Sequence, residues 1–287
     1  MRKHTVLSLF GCLFLIIGFD TSAQTLKPNW TFDASARVIA SPVEKDGVLF
    51  VGDENGNFYA IDAASGKQLW KVTTEGNIQS KAAIVDDNVF FESANDFYLV
   101  NRKTGIQKWK FDTKMKPFSF TYDGKTYPFK IDAFDDKHSS AVYIDGVIYV
   151  GSGNGNLYGF NAKTGEVQSR FSSDALSPIR SSPLVSNGKL YFGDWEGLVY
   201  CYDLSNSALL WKKKTYSWNK PYDTFGGVVS EFVQYKGLLF FGARNFMLNV
   251  LNAETGEKEW TYTDPDRGWM IGDPVIYNDT LFLGGSD

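Results

Sequence analysis

Histidine and cysteine, the usual sources of metal and nucleophilic chemistry, are scarce in this 287-residue chain, with two of each. His4 and Cys12 lie near the N-terminus, which leaves Cys201 and His138, the latter beside Ser139 and Ser140. A centre built from several His or Cys ligands is excluded by count, and one remaining thiol cannot form an internal disulfide. Acidic turns at Asp53 and Asp194 could offer oxygens to calcium, although Gly-rich acidic turns on exposed loops need no ion. What remains is recognition chemistry. Trp195, Trp218, Tyr222, Arg244, Arg267 and Trp269 combine flat aromatic surface with guanidinium groups, the residue types that dominate binding energy where proteins meet. A second set, Lys81, Arg180, Glu231 and Asp273, has the character of a polar channel lining that either holds a ligand or carries water.

The segment that precedes all of these has a different role. Arg2, Lys3 and His4 form a basic start, Val6 to Phe19 is an apolar run broken by Ser8 and two glycines, and Thr21-Ser22-Ala23 supplies small residues for cleavage. Residues 1–23 therefore read as a secretory signal peptide, and residues 24–287 as an exported domain, periplasmic or extracellular. Leu9-Phe10-Gly11-Cys12 is a loose lipobox. The apolar run continues past Cys12 to Phe19, on the wrong side of that cut, so acylation is not expected. No other stretch approaches a transmembrane span. A formal charge of −4 argues against a nucleic-acid partner, which would require a basic stripe.

The elements that position the candidate residues are announced by a repeat. Asp62, Asn101, Asn161, Asp203 and Asn252 each end an apolar tetrad. Four residues later stand Gly66, Gly105, Gly165, Ser207 and Gly256, and four further Trp70, Trp109, Ser169, Trp211 and Trp260. Upstream of each frame come a tight-turn dipeptide such as Asp46-Gly47 or Asn187-Gly188 and a β-rich run, the mark of a hairpin. The unit is four short strands, A to D, in about 40 residues, the period of a propeller blade. The frame has a local logic. The Asp or Asn oxygen accepts backbone N–H groups in the turn, the Gly supplies a positive φ, and the Trp is suited to the seam between blades.

The frames Asp62-x3-Gly66-x3-Trp70 and Asn252-x3-Gly256-x3-Trp260 resemble the pyrroloquinoline-quinone-like repeat. That repeat is shared by quinoprotein alcohol dehydrogenases and by the outer-membrane β-barrel assembly lipoprotein of Gram-negative bacteria. The resemblance covers nearly all of the mature chain and implies an all-β propeller. It is weak for function, because its bearers include both enzymes and scaffolds. In the enzymes it implies a quinone held between a tryptophan and a vicinal disulfide, with Ca²⁺ on Glu, Asn or Asp. No adjacent cysteine pair exists here, and Cys201 falls in a strand-C slot held by Ala60 and Gly159 in sister blades. The sugar-type enzymes want a catalytic histidine, for which His138 is the single candidate. No residue is assigned a catalytic role.

Six blades are visible, the last supplying strands A and B from about Gly272, and a complete ring of seven or eight is compatible. Trp30-Thr31-Phe32 reads as an isolated strand D that closes the ring, and the chain reads as a C-terminally incomplete propeller. The B–C and D–A loops share one face of such a disc. That face receives Met115–Lys137, Tyr216–Phe225 and Asp264–Met270, together with Trp195 and Arg244 from B–C turns, and Trp195, Trp218 and Trp269 break the repeat register. Long irregular loops on a rigid scaffold are where binding resides. The expectation is a scaffold that engages a protein or peptide, in association with envelope proteins, and needs no cofactor. The alternatives are a quinone- and calcium-dependent alcohol or sugar dehydrogenase, or the propeller module of a larger exported enzyme.

Overall fold

The computed structural model describes residues 27–115, 118–122, 125–129, 138–215, 226–266 and 268–285. Blade one is β1 (Val43–Lys45), β2 (Val48–Gly52), β3 (Asn57–Asp62) and β4 (Gln68–Thr73). Blade two is β5 (Ala83–Val85), β6 (Asn88–Ser93), β7 (Asp96–Asn101) and β8 (Gln107–Phe111). A separate hairpin follows, β9 (Phe118–Tyr122) with β10 (Lys125–Phe129). Blade three is β11 (Val142–Ile144), β12 (Val147–Gly151), β13 (Asn156–Asn161) and β14 (Val167–Ser172). Blade four is β15 (Leu184–Ser186), β16 (Lys189–Gly193), β17 (Leu198–Asp203) and β18 (Ala208–Lys214). Blade five is β19 (Val233–Tyr235), β20 (Leu238–Gly242), β21 (Met247–Asn252) and β22 (Lys258–Thr263). The sixth sheet has β23 (Val275–Tyr277) and β24 (Thr280–Phe282).

Every sheet is antiparallel and runs in chain order. Outside blade two, the A–B turns adopt positive φ at both central residues, +52° and +76° at Asp46 and Gly47, which matches the twist of the flanking strands. The first strands touch in succession, β1 to β5 to β11 to β15, and β19 touches β23. The middle strands β2, β3, β12, β13, β16 and β17 are mostly buried, whereas the D strands β4, β8 and β22 are mostly open to solvent. The core is accordingly a series of seams. Phe50, Phe58 and Ala60 of blade one pack with Phe91, Tyr98 and Val100 of blade two. Tyr191, Cys201 and Trp211 of blade four pack with Phe241 and Leu251 of blade five. Each seam buries what neither sheet could bury alone.

The frame has the same conformation in blades one, two, three and five, and a different turn in blade four, where strand D resumes at Ala208. Asp62 Oδ1 accepts Ser65 N–H at 2.8 Å, Asn101, Asn161 and Asn252 do the equivalent, and Asp203 Oδ1 accepts Ser205 N–H, two residues on. Strand C of each blade carries a register shift two residues before the frame Asp or Asn. The tryptophans reach across the seam. Trp70 N–H donates to the Arg102 carbonyl of blade two at 3.0 Å, Trp109 to Ala162 of blade three at 3.2 Å, and Trp211 to Ala253 of blade five at 3.2 Å. A Cβ on Gly105 would fall 2.9 Å from the Trp70 ring, and one on Gly165 2.7 Å from Trp109. The frame glycine thus makes room for the previous blade's indole, besides adopting φ +71° at Gly105.

The N-terminal strand is a correction. Trp30–Phe32 is assigned to no strand. A D strand takes its hydrogen bonds from strand C of its own blade, and among the described residues the sixth sheet holds only its A and B strands. Five blades are complete and the sixth is half present among the described residues.

Candidate functional site

The B–C turns of blades one, three, four and five are built alike and differ at their second residue. Asp53, Ser152 and Asp194 open the turns of blades one, three and four, and each carbonyl accepts the N–H three residues on. The next residue is Glu54, Gly153, Trp195 or, in blade five, Arg244. Its backbone N–H is spent on the strand-A segment of the same blade, Glu54 on Arg37, Trp195 on Pro178 and Arg244 on Gly227, at 2.9–3.0 Å. The side chain is therefore presented from a fixed backbone.

Three of the sequence-predicted residues meet there. The Arg244 guanidinium lies 4.5 Å from the Trp195 ring and 4.2 Å from the Trp269 ring. Trp195 comes from blade four, Arg244 from blade five and Trp269 from the segment leading into β23, so the stack climbs across three consecutive repeats. Both indoles are half-buried, whereas Arg244 is only 7% exposed. Cation–π attraction strengthens as the cation is desolvated. Gly227 is needed here, because a Cβ would come within 3.2 Å of the Trp195 ring. At the end of the same turn Phe246 adopts φ +65°, where Gly56, Gly155 and Gly197 stand in sister blades. A non-glycine in that conformation is strained and is held by its surroundings. Trp218, Tyr222 and Arg267 lie outside the described residues.

Lys81, Glu231 and Asp273 share one register position, six residues before the second residue of the A–B turn, with Ser140 and Ser182 between them. Lys81 Nζ reaches Glu231 at 2.6 Å, which joins blade two to blade five. Lys81 N–H donates to Ser140 Oγ, Ser140 N–H to Ser182 Oγ and Glu231 N–H to Asp273 Oδ1. A belt of hydrogen bonds thereby links equivalent residues of neighbouring blades. Arg180 stands two residues earlier in its strand-A segment and is 1% exposed, with Nη1 donating to Asn95 Oδ1 at 3.4 Å.

One polar cluster was not anticipated. Glu92 occupies the strand-B position that is Gly52, Gly151, Gly193 and Gly242 in the other complete blades. Those glycines leave space for Ile78, Ile179, Val228 and Met270 of the next blade. In blade two the space holds a carboxylate instead. Its oxygens lie 2.9 and 3.0 Å from His138 Nδ1, and it also accepts Asn95 N–H. Both Glu92 and His138 are 2% exposed. His138, Gln79 and Arg180 are register equivalents in consecutive blades, so a buried polar layer runs through blades two to four.

The residues present do not fit the quinone and calcium of the enzymes in the resemblance. Cys201 is fully buried opposite Trp211 in the blade-four sheet and has no neighbouring cysteine. No group of three His, Cys, Asp or Glu among the described residues could hold a metal. The Asp53 oxygens accept hydrogen bonds from Ser35, Asn55, Asn57 and Tyr59, which leaves them committed to their own turn. Asp194 accepts Leu198 N–H and Tyr200 O–H, and burial pushes its carboxyl up to about 6 against those bonds.

A family profile described as outer membrane protein assembly factor BamB matches residues 20–230. The chain is 22% identical over 272 residues to the BamB of Yersinia pestis, covering 91% of this chain and 62% of that protein. It thus spans less than two thirds of the curated relative. Among solved structures, BamB from Moraxella catarrhalis superposes with a TM-score of 0.68 at 16% identity, covering 88% of this chain and 70% of that one. Quinohemoprotein alcohol dehydrogenase from Comamonas testosteroni gives 0.63 at 13%, covering 82% and 44%. These two likenesses establish the propeller fold.

Proposed function

The chain belongs to the family of the outer membrane protein assembly factor BamB, and from that premise we propose that it is a cell-envelope scaffold that holds a protein partner during assembly of outer-membrane proteins. The observation that carries the reading is the Trp195–Arg244–Trp269 stack, raised on the variable slot of otherwise constant turns. Aromatic and arginine side chains on a rigid backbone bind with little ordering cost. Export through residues 1–23 places the scaffold in the periplasm, and no helix among the described residues is long and apolar enough to cross a membrane.

Membership overturns the expectation against acylation. The assembly protein is the lipoprotein branch of the resemblance, so Cys12, outside the described residues, becomes the proposed lipid attachment site. Incorporation of labelled fatty acid that survives Cys12→Ala would remove that assignment.

The scaffold reading is tested by complementation. In a Gram-negative host lacking its own homologue, the wild-type chain should restore outer-membrane protein abundance, and a folded Trp195→Ala/Trp269→Ala variant should not. Equal restoration by both would overturn the role of the stack. The dehydrogenase alternative is tested by adding pyrroloquinoline quinone and Ca²⁺ and following dye-linked oxidation of alcohols and sugars. Reproducible turnover would displace the scaffold reading.

A further inference from the structure

Asp53 and Asp194 occupy the same place in two blades, yet their surroundings differ. Both are fully sequestered from solvent. Each accepts the backbone N–H four residues on, from Asn57 and Leu198, at 2.9 Å. Each accepts a tyrosine hydroxyl at 2.8 Å, from Tyr59 and Tyr200. Asp53 gains further donors, Ser35 Oγ–H at 2.8 Å and the Asn57 side-chain amide at 3.1 and 3.2 Å. Leu198 stands where Asn57 would be and brings no side-chain donor.

Asp194 also anchors the turn that presents Trp195. Its carbonyl accepts Gly197 N–H within the turn at 3.1 Å and Val228 N–H of the next blade at 3.0 Å. Val228 adjoins Gly227, on which the Trp195 ring rests and whose carbonyl accepts Arg244 N–H. Asp194 is thus wired through its backbone carbonyl to both sides of the Trp195–Arg244 contact, while its carboxylate holds Leu198 N–H at the end of the turn that carries Trp195.

We propose that this turn responds to protons: when Asp194 takes up a proton, its hydrogen bond with Tyr200 reverses and Trp195 loosens from Arg244, so that docking through the stack weakens on acidification. The docking part rests on the scaffold reading above. In the ionised form both carboxylate oxygens are acceptors. A solvent proton bound at Oδ2 turns that oxygen into a donor toward Tyr200 Oη. That hydroxyl already accepts Asp174 N–H at 2.8 Å, so its own proton must find another acceptor. The new O–H bond at Oδ2 is the one covalent change.

The charged and titratable surroundings favour such uptake. Burial raises the Asp194 carboxyl to about 6, against the bonds from Leu198, Tyr200 and Glu196 N–H, and the Glu196 carboxylate raises it further. Asp174 lies behind Tyr200 and is paired with Lys212, while Arg244 lies beyond the Trp195 ring. At Asp53 the same burial is outweighed by the bonds from Asn57, Ser35 and Tyr59, and the carboxyl stays below the usual range.

The test is a pH titration of tryptophan emission on the full chain, with the Trp195→Phe protein as the difference reference. It needs no partner, so its outcome is separable from that of the complementation. The wild type should show a Trp195-dependent transition centred near pH 6. Asp194→Asn should lose it and Asp53→Asn should keep it. Leu198→Asn, which offers the amide that Asp53 enjoys, should move the midpoint to lower pH, and serves if Asp194→Asn fails to fold. No Trp195-dependent transition in the wild type, or one that persists in Asp194→Asn or stays put in Leu198→Asn, overturns the proposal.

Discussion

The indole of Trp211 in blade four lies over Gly256 in blade five, where a Cβ would fall 2.6 Å from the ring, and its N–H donates to Ala253 at 3.2 Å. Trp211 is 8% exposed, whereas Trp260, at the same frame position of blade five, is 46% exposed. The two differ in what stands next to them. Trp211 faces the frame glycine of the following blade, and the sixth sheet offers no strand C among the described residues. Trp211→Ala should therefore lose about 3–5 kcal/mol by chemical denaturation. Trp260→Ala should lose about 1 kcal/mol or less. Comparable losses for the two would remove the seam explanation.

The frame was legible in sequence because its physics is local: an oxygen capping a turn, a positive φ and a large ring within nine residues. The partner of each ring was not, because it lies one blade further on. Ser169 and Ser207 stand in the aligned frames where the other blades have Trp and Gly. Repeat geometry sets them across one seam, where Ser169 brings no ring and Ser207 consequently need not be glycine. Of the predicted contact residues, Trp195, Arg244 and Trp269 come together because the B–C turns of blades four and five adjoin each other and the segment that leads into β23. The Glu92–His138 pair escaped notice because its members are 46 residues apart. A signal was present all the same, in the single carboxylate within a column of glycines.

That pair is buried on both sides, and removing one member leaves the other without compensation. Glu92→Ala should destabilise the chain by about 3–5 kcal/mol, the range for breaking a buried ion pair or its hydrogen-bonded equivalent. Part of the loss comes from Asn95 N–H, which also donates to Glu92. Thermal unfolding of the variant checks this, and a loss within about 0.5 kcal/mol, typical of surface changes, would show that the cluster is not a stability determinant.

Lys81 and Glu231 make the opposite case. Their side chains keep 39% and 29% of their exposure, so solvent screens the pair. A double-mutant cycle with Lys81→Met and Glu231→Gln should return a coupling of about 0.2–1 kcal/mol. The coupling should shrink on adding salt, since exposed charges are screened. A salt-independent coupling of several kcal/mol would mean that the bridge is effectively dry.

The two sequestered aspartates predict pH effects of opposite sign on stability. At Asp53 burial opposes ionisation but the hydrogen bonds from Asn57, Ser35 and Tyr59 outweigh it, so the folded carboxyl titrates below its ordinary value of 3.8. Its contribution is present above that value and is lost as pH falls through the folded pKa. At Asp194 burial wins, and the folded carboxyl titrates at about 6. The folded state then holds the proton more tightly than the unfolded chain, so this contribution is present below 3.8 and is lost as pH rises through about 6. Between those limits the difference amounts to roughly 2–3 kcal/mol, at 1.36 kcal/mol per pKa unit. Denaturation midpoints measured against pH should show wild type gaining on Asp194→Asn as the solution is acidified from neutrality toward pH 4. Wild type should lose ground to Asp53→Asn only at still lower pH. An Asp194→Asn difference that is flat across this window would place the Asp194 carboxylate in contact with water or with donors beyond Leu198, Tyr200 and Glu196.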